Sequence, residues 1–283
     1  MAPRHYPTIS QRRFGAELRR LRDAAGISAP TAAERLGADR TMISNIEAGR
    51  FGISEERLRR IASIYECDNP ELINSLAAMT GGRKKGWWDE YRGKIPSDFL
   101  DVAELEHHAH SLRTLQTAHI PGLFQTEDHA RALFDLFVPA LPRLEVELRI
   151  AQRLARHIVI AGTPGVPYVG LIHEAALRMR TGGRRVAKEQ LRRLLEESER
   201  PNVRLLVIPF TAEGFPMAGD TMMYVSAANP HLDTVEVDSP IGAVFFDSPT
   251  QLANFRRRLD LVEQVALNPS ESRDLILEIS GNL

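Results

Sequence analysis

Apolar residues recur at helical spacing through the first 80 positions of the chain. Phe14, Leu18 and Leu21 lie on one face of a helix predicted over residues 11–26, which ends at Gly26. Similar apolar spacing, with polar capping residues before several of the runs, predicts four further helices before residue 80. The pattern therefore predicts an all-α N-terminal domain of five helices.

The pattern changes after residue 87, where helical runs mix with short β-branched and aromatic runs. Helices are predicted at 97–116, from 126 onward, and at 142–156, 184–198, 250–266 and 271–280. Strands bounded by Pro, Gly and Asn are predicted at 166–174, 202–210, 221–226, 234–239 and 242–247. The last two strands form a predicted hairpin with residues 239–242 as its turn. Together these elements predict a C-terminal α+β domain with a small, mainly antiparallel sheet.

The two patterns divide the chain into two domains and a short linker. We expect a helical domain at 1–80 and an α+β domain at 87–283. Residues 81–86 between them are rich in glycine and basic residues, which predicts a hinge. Sensing, partner binding and dimerisation are assigned to the larger second domain.

The segment 26–50 carries the most specific local signal. It predicts two short helices joined by a turn, in which Gly37 takes a left-handed conformation and Asp39 caps the second helix. Ala33 is small where the helices are expected to cross. The apolar seam is formed by Leu36, Ile43 and Ile46. This arrangement is the one that places a helix in a DNA major groove, so DNA binding is the leading hypothesis.

The outer face of the second helix bears side chains of the kind that recognise DNA. Arginine and asparagine pair bidentately with guanine and adenine, and threonine contacts a thymine methyl group or a phosphate. The candidates for base contacts are Arg40, Thr41, Ser44 and Asn45. The candidates for phosphate contacts are Ser28 and Arg50. The alternative is a degenerate, protein-binding version of the same unit.

Positive charge is concentrated in the same part of the chain. Residues 1–65 contain 12 arginines, no lysine and 7 acidic residues, a net charge of +5, whereas the remaining residues carry −6. This asymmetry is typical of a protein that binds a polyanion with one end. Arginines that only solvate helix surfaces are the alternative, and charge by itself does not decide between them.

The second helix ends in a motif, the run from Ile43 to Gly49 with sequence ISNIEAG, and a turn glycine and an alanine precede it at fixed spacing. The pattern resembles the Xre/Cro-repressor type of helix-turn-helix over roughly residues 11–79. This resemblance implies a five-helix DNA-binding head. One position departs from it, since Ala29, followed by Pro30, stands where the family usually carries a glutamine that helps to fix the DNA backbone.

Four phrases of the second domain carry another resemblance. They are the runs 120–133, 174–178, 201–210 and 268–276. They look like the C-terminal domain that follows an Xre-type head in WhiJ-type regulators of sporulating filamentous bacteria. Members of that family are described as antitoxin-like regulators paired with small partner proteins. The resemblance therefore implies a transcriptional regulator with a sensing or partner-binding body.

Two loops of the second domain are candidates for a ligand or partner surface. The turn 121–126 and the loop 213–219 both place aromatic and apolar residues where pocket rims are common. The candidate residues are Pro121, Phe124, Gln125, Phe215 and Met217. Packing of these residues in the core is the alternative interpretation.

Metal, cofactor and catalytic sites are weakly indicated. Glu104 and His107 have the spacing of one helix face, and His108 and His110 follow, but nothing ties a second half of a metal site to this cluster. The nucleophile-elbow and phosphate-loop motifs do not occur in the sequence. We therefore expect no metal, no cofactor and no enzymatic activity.

Composition is that of an ordinary globular protein, with 43% apolar residues, one cysteine and no apolar run of the length that spans a membrane. We expect a cytoplasmic homodimer whose two heads, about 34 Å apart, read a palindromic operator in double-stranded DNA. Two alternatives stay open. One is an antitoxin-like module that sequesters a small partner protein, and the other is a small-molecule receptor with secondary DNA binding.

Overall fold

The chain divides into two compact units. The helical unit comprises Met1–Asp89 and Ala227–Asp233, and the sheet unit comprises Glu90–Ser226 and Thr234–Leu283. The structure, a computed structural model, describes residues 7–81, 85–216, 221–239 and 242–283. Two residues of the predicted turn 239–242, part of the predicted hinge and Met217 therefore lie outside the described residues.

The described residues of the helical unit contain five α-helices and no strand, and the predicted all-α fold with five helices is confirmed. They are α1 (Ile9–Ala24), α2 (Ala29–Leu36), α3 (Arg40–Glu47), α4 (Glu55–Ile64) and α5 (Pro70–Ala77). Each begins at a side chain that accepts a hydrogen bond from the first turn of its helix, which satisfies an otherwise free backbone N–H. These capping residues are Thr8, Ser28, Asp39, Ser54 and Asn69.

The inward faces of the five helices share one apolar core. Its buried members include Phe14, Leu18, Leu36, Ile43, Ile46, Leu58, Ile61, Leu72 and Leu76. α1 and α3 approach each other closely at Gly15. A Cβ atom at Gly15 would lie 2.4 Å from the carbonyl oxygen of Glu47 and 2.6 Å from that of Ile46. Because those distances are shorter than any normal contact, α1 and α3 can pack in this way only with glycine at position 15.

A segment from late in the sequence completes the helical unit. Residues 227–233 contain a short 3-10 helix at Pro230–Leu232, and Leu232 packs in the same core as Phe14. The Arg13 side chain, which is 3% exposed, donates from Nε to the carbonyl oxygen of Asp233 at 3.2 Å and from Nη2 to that of His231. The core of the helical unit is therefore built from two separate stretches of sequence.

The sheet unit combines eight α-helices and six strands among its described residues. The helices are α6 (Ser97–His107), α7 (Glu127–Phe134), α8 (Arg143–Ala155), α9 (Ile158–Ala161), α10 (Glu174–Arg178), α11 (Arg184–Glu197), α12 (Pro249–Val265) and α13 (Pro269–Asn282). The strands are β1 (Ser111–Gln116), β2 (Tyr168–His173), β3 (Val203–Ile208), β4 (Met222–Ser226), β5 (Thr234–Ser239) and β6 (Gly242–Phe246). A 3-10 turn at Gly122–Phe124 lies between β1 and α7 in the sequence.

The six strands form one mixed sheet in the order β3-β2-β1-β4-β5-β6. β1 and β3 both pair parallel with β2, while the pairs β1–β4, β4–β5 and β5–β6 are antiparallel. Ser239 pairs with Gly242, so β5 and β6 form the predicted hairpin. The predicted α+β class is confirmed, and the sheet is larger than the small one that we expected.

The additional strand explains the larger sheet. The predicted helix over 97–116 is wrong beyond His107, because residues 111–116 form β1 instead. Leu112 and Leu115 have the spacing of a helix face, but β1 gains backbone hydrogen bonds from β2 on one side and β4 on the other. The conformation of this segment is decided by its pairing with strands that are distant in the sequence. The local spacing of leucines gives no information about that pairing.

Helices pack against the sheet and bury much of β1 to β5, whereas no residue of β6 is buried. Leu252, Leu259 and Val262 of α12 share a core with Leu115 of β1 and Val235 of β5. α13 is fastened to β3 by a buried hydrogen bond from the Val207 N–H to Ser272 Oγ at 2.9 Å. α7 and α8 form a smaller core of their own, with Ala130, Phe134, Val146 and Ile150.

Candidate nucleic-acid interface

The turn between α2 and α3 has the geometry that the sequence predicts. Ser28 Oγ accepts from the Thr31 N–H at 3.2 Å and begins α2. Gly37 ends α2 with a φ of 65°, in the left-handed region. Asp39 then accepts from the Met42 N–H at 2.8 Å and begins α3. The direction of α3 is therefore set by a glycine and a cap only two residues apart.

The inner side of α3 is held by apolar packing and by one buried ion pair. Ile43 and Ile46 are 1% and 2% exposed in the core. Glu47 accepts from Arg22 Nε at 2.6 Å and from Nη2 at 3.0 Å, and Arg22 Nη1 donates to the carbonyl oxygen of Ile27 at 2.8 Å. The hydrogen bond to Glu47 raises the pKa of Arg22. This pair, which joins α1 to the end of α3, is a positioning contact that the sequence analysis missed.

The outer side of α3 presents polar groups to solvent. Arg40, Thr41 and Ser44 are exposed, and their side chains make no hydrogen bond or ion pair with any residue that the structure describes. Asn45 is half-buried, and its Oδ1 accepts from Arg50 Nη1 at 3.4 Å. One face thus brings together four predicted residues of α3 and Arg50 just beyond it.

The arginines of the helical unit differ in whether a carboxylate pairs with them. Several other arginines of the helical unit are engaged, since Arg13 and Arg20 pair with Glu17 and Arg59 pairs with Glu55. Arg40 has no carboxylate partner among the described residues. An exposed guanidinium without an internal partner is available to bind guanine or phosphate. The N-terminus of α3, where Arg40 lies, adds a partial positive charge.

The candidate ligand residues of the sheet unit fall into two separate groups. Pro121, Phe124 and Gln125 belong to the 3-10 turn after β1 and are buried, so the exposed rim expected there is wrong and core packing holds for this turn. Phe215 is half-buried, with its ring centroid 5.6 Å from that of His173. In the part of the chain that the structure describes, no hydrogen bond or ring contact joins Phe215 to the turn.

The histidine cluster at the end of α6 shows no metal-binding geometry. Glu104 is buried, whereas His107, His108 and His110 are exposed. No group of three or more described His, Cys, Asp or Glu side chains is placed to hold a metal ion. The rings of His107 and His108 instead contact each other edge to face, with centroids 5.0 Å apart.

Two family models match separate parts of the chain. Residues 13–76 match a helix-turn-helix domain, and residues 99–278 match the domain of unknown function DUF5753. The chain belongs to the DUF5753 family. This DUF5753 protein thus carries a DNA-binding type of head, which indicates a regulator rather than an enzyme. Searches of curated proteins and of solved structures gave no match.

The matched segments agree with the elements seen in the structure. The helix-turn-helix match starts inside α1 and ends inside α5, and the DUF5753 match starts inside α6 and ends inside α13. None of the helices in the described residues has the length and apolar character required to cross a membrane.

Proposed function

We propose that this protein is a sequence-specific transcriptional regulator of the Xre/Cro type, which inserts α3 into the major groove of an operator. The observation that supports it best is the exposed face of α3. Arg40, Thr41 and Ser44 have no partner among the described residues, while Asp39 and Glu47 fix the two ends of the same helix. A rigid helix with unengaged polar groups is suited to reading base edges.

The proposed contacts divide into two kinds. Arg40 pairs with guanine O6 and N7, Thr41 contacts a thymine methyl group or a phosphate, and Ser44 and Asn45 extend the reading by one turn. Ser28 and Arg50, which lie at either side of this helix in the sequence, contact phosphates. Because one such head reads few base pairs, we propose that the protein acts as a homodimer on a palindrome.

The sheet unit is proposed to be of the WhiJ type and to receive a small ligand or a small partner protein. Its support is the resemblance of four phrases in this part of the sequence and the match to DUF5753. In this proposal the helical unit selects the operator, and the sheet unit controls whether the protein occupies it.

The test is capture of genomic DNA by the full chain, followed by binding measurements on the enriched sequence. We expect enrichment of a palindrome with half-sites about 10 base pairs apart, centre to centre. Arg40→Ala should weaken binding by about 1–3 kcal/mol and relax the preference at one base position. Unchanged preference in this variant would show that the docking of α3 is wrong.

Arg60→Ala provides the matched control. Arg60 is an exposed arginine of α4, on another helix of the same unit. Its removal lowers the positive charge by the same amount as Arg40→Ala but touches no residue of the proposed reading face. We expect the base preference to stay intact. Equal loss of base preference in both variants would show that Arg40 contributes only through its positive charge and not through a specific base contact.

A further inference from the structure

We propose that Arg153 anchors a binding site for a small carboxylate ligand within the sheet unit, to which the buried His129 contributes. The inference rests on the proposed function, because it gives a chemical class to the effector that the sheet unit is proposed to receive. It does not rest on DNA binding, and each is tested separately.

The first step is a comparison of three arginines along α8. Arg149 donates from Nε and Nη2 to Glu145, and Arg156 donates from the same two nitrogens to Glu106, with the Nε distance 2.7 Å. This edge of a guanidinium presents two parallel donors that match a carboxylate. The corresponding edge of Arg153 has no partner among the described residues, and its Nε is buried.

The second step concerns the remaining surroundings of Arg153. Its Nη1 donates to Gln125 Oε1 at 2.8 Å, and its guanidinium lies 4.6 Å from the centroid of the Phe134 ring. Both contacts hold the group in place without neutralising it. Burial lowers the pKa of Arg153 to about 9. Arg153 is half-buried, and the charges of Asp238 and Glu106 act against this lowering, but neither carboxylate is hydrogen-bonded to it among the described residues. A partly desolvated guanidinium without a directly bonded carboxylate is unfavourable, and a bound anion relieves that cost.

The third step concerns a buried histidine whose pKa the charge of Arg153 affects. His129 is 4% exposed, and neither ring nitrogen has a hydrogen-bond partner among the described residues. Burial, followed by Coulomb interactions with His119 and Arg153, lowers the pKa of His129 to about 4. The ring is therefore neutral at pH 7, with one N–H to donate. That donor complements the open edge of Arg153.

The donor set selects the class of ligand. One open guanidinium edge and one neutral imidazole offer the few donors that a single carboxylate accepts. A phosphate group carries more charge and three acceptor oxygens, which call for more than one cation. Gln125, a residue that the sequence analysis marked for ligand contact, takes a positioning role instead. Its Nε2 donates to the carbonyl oxygen of Ile120 at 2.7 Å, and this orients Oε1 toward Arg153.

The experiment measures thermal stabilisation of the full chain, without DNA, by sodium acetate, butyrate and benzoate at constant ionic strength. The neutral amides acetamide, butyramide and benzamide serve as matched probes. We expect at least one carboxylate to raise the Tm in a saturable manner and its amide to leave the Tm unchanged. Absence of stabilisation by all three carboxylates would overturn the proposal.

Two variants assign the effect to its site. Arg153→Met keeps the length of the side chain and removes the charge, and we expect a loss of carboxylate affinity of at least tenfold. Arg143→Met removes an exposed arginine from the first turn of the same helix and should retain the response. Equal stabilisation of the wild type and Arg153→Met would identify an adventitious ion only and would overturn the assignment.

A second measurement does not depend on the fold of a variant. Nitrogen-15 spectra of the arginine side chains report each buried Nε–H directly. Titration with the carboxylate that stabilises the protein most should move the Arg153 resonance and leave that of Arg156, which is already bound to Glu106, in place. Movement of both resonances, or of neither, would contradict the proposed site. Loss of DNA binding in the same preparation would bear on the proposed function alone.

Discussion

At the scale of single residues, Glu47 holds α3 in place for the proposed DNA binding, although Glu47 itself is not on the exposed face of that helix. We expect Glu47→Gln to lower the free energy of unfolding by roughly 1–2 kcal/mol, because Arg22 would lose its less exposed carboxylate partner and keep only Asp23, whose side chain is 55% exposed. Both side chains of the pair are 10% exposed. Urea unfolding and binding to the captured operator together check this prediction.

Glu55→Gln is the control for that substitution. It removes the carboxylate of an exposed ion pair with Arg59, whose side chains are 50% and 55% exposed. Such pairs contribute about 0–1 kcal/mol, so stability and DNA affinity should hardly change. A similar cost in both variants would mean that the Arg22–Glu47 pair has no special role.

The buried His129 makes the stability of the protein depend on pH. The folded protein holds its pKa at about 4, below the usual 6.5, so the unfolded chain binds more protons between these values. Stability from this residue is therefore complete above pH 6.5 and is lost as the pH falls toward 4. At 1.36 kcal/mol per pKa unit, the loss amounts to about 3 kcal/mol.

Comparison of the wild type with His129→Leu isolates this effect, because the other titrating groups are common to both proteins. The stability difference between them, from denaturant unfolding, should move by about 3 kcal/mol in favour of the variant between pH 7 and pH 4. A difference that stays constant with pH would show that His129 is not buried in its neutral form.

Part of the candidate interface could be predicted because it depends on interactions between residues that are close in the sequence. Gly37 and Asp39 act through their own backbone and the next turn, so their roles can be read from the sequence alone. Partnership between Arg22 and Glu47 spans 25 residues and depends on how α1 crosses α3. The spacing of the motif singles out Glu47, but it does not predict which residue pairs with Glu47.

At the scale of elements, the crossing of α1 and α3 depends on Gly15. Alanine in place of a helical glycine ordinarily stabilises by about 1 kcal/mol. Here we expect the opposite sign, a loss of about 1–3 kcal/mol, because the new Cβ would displace the carbonyl groups at the end of α3. Hydrogen exchange of the α3 amides and urea unfolding of Gly15→Ala would measure it.

Gly281→Ala is the matched control within another helix. Gly281 lies in α13, and a Cβ built there has no atom within 4 Å among the described residues. This variant should be neutral or slightly more stable. Stabilisation of both variants would contradict the close approach of α1 and α3.

The strands show where element-level prediction succeeds and fails. β2 to β6 are β-branched or aromatic runs with turn residues at their ends, and all five were predicted within two residues. β1 has the sequence SLRTLQ, which carries no such composition, and its leucines match a helix face. Its strand conformation comes from its position between β2 and β4, and no local rule contains that information.

At the scale of the whole molecule, one core is assembled from distant parts of the chain. We expect Leu232→Ala to lower the stability of the helical unit by about 2–3 kcal/mol and to weaken operator binding, because Leu232 packs with the helices that hold α3. Hydrogen exchange over residues 9–77 would locate the effect. Unchanged exchange there would contradict the assignment of residues 227–233 to this unit.

This assembly also limits how the protein can be divided by recombination. A gene fragment that stops at residue 89 encodes all five helices but omits the residues that accept hydrogen bonds from Arg13. Exchange of heads between members of the family would then separate two stretches of sequence that share one core. Heads and bodies should therefore be inherited together, and a working chimaera must carry residues 227–233 along with the head.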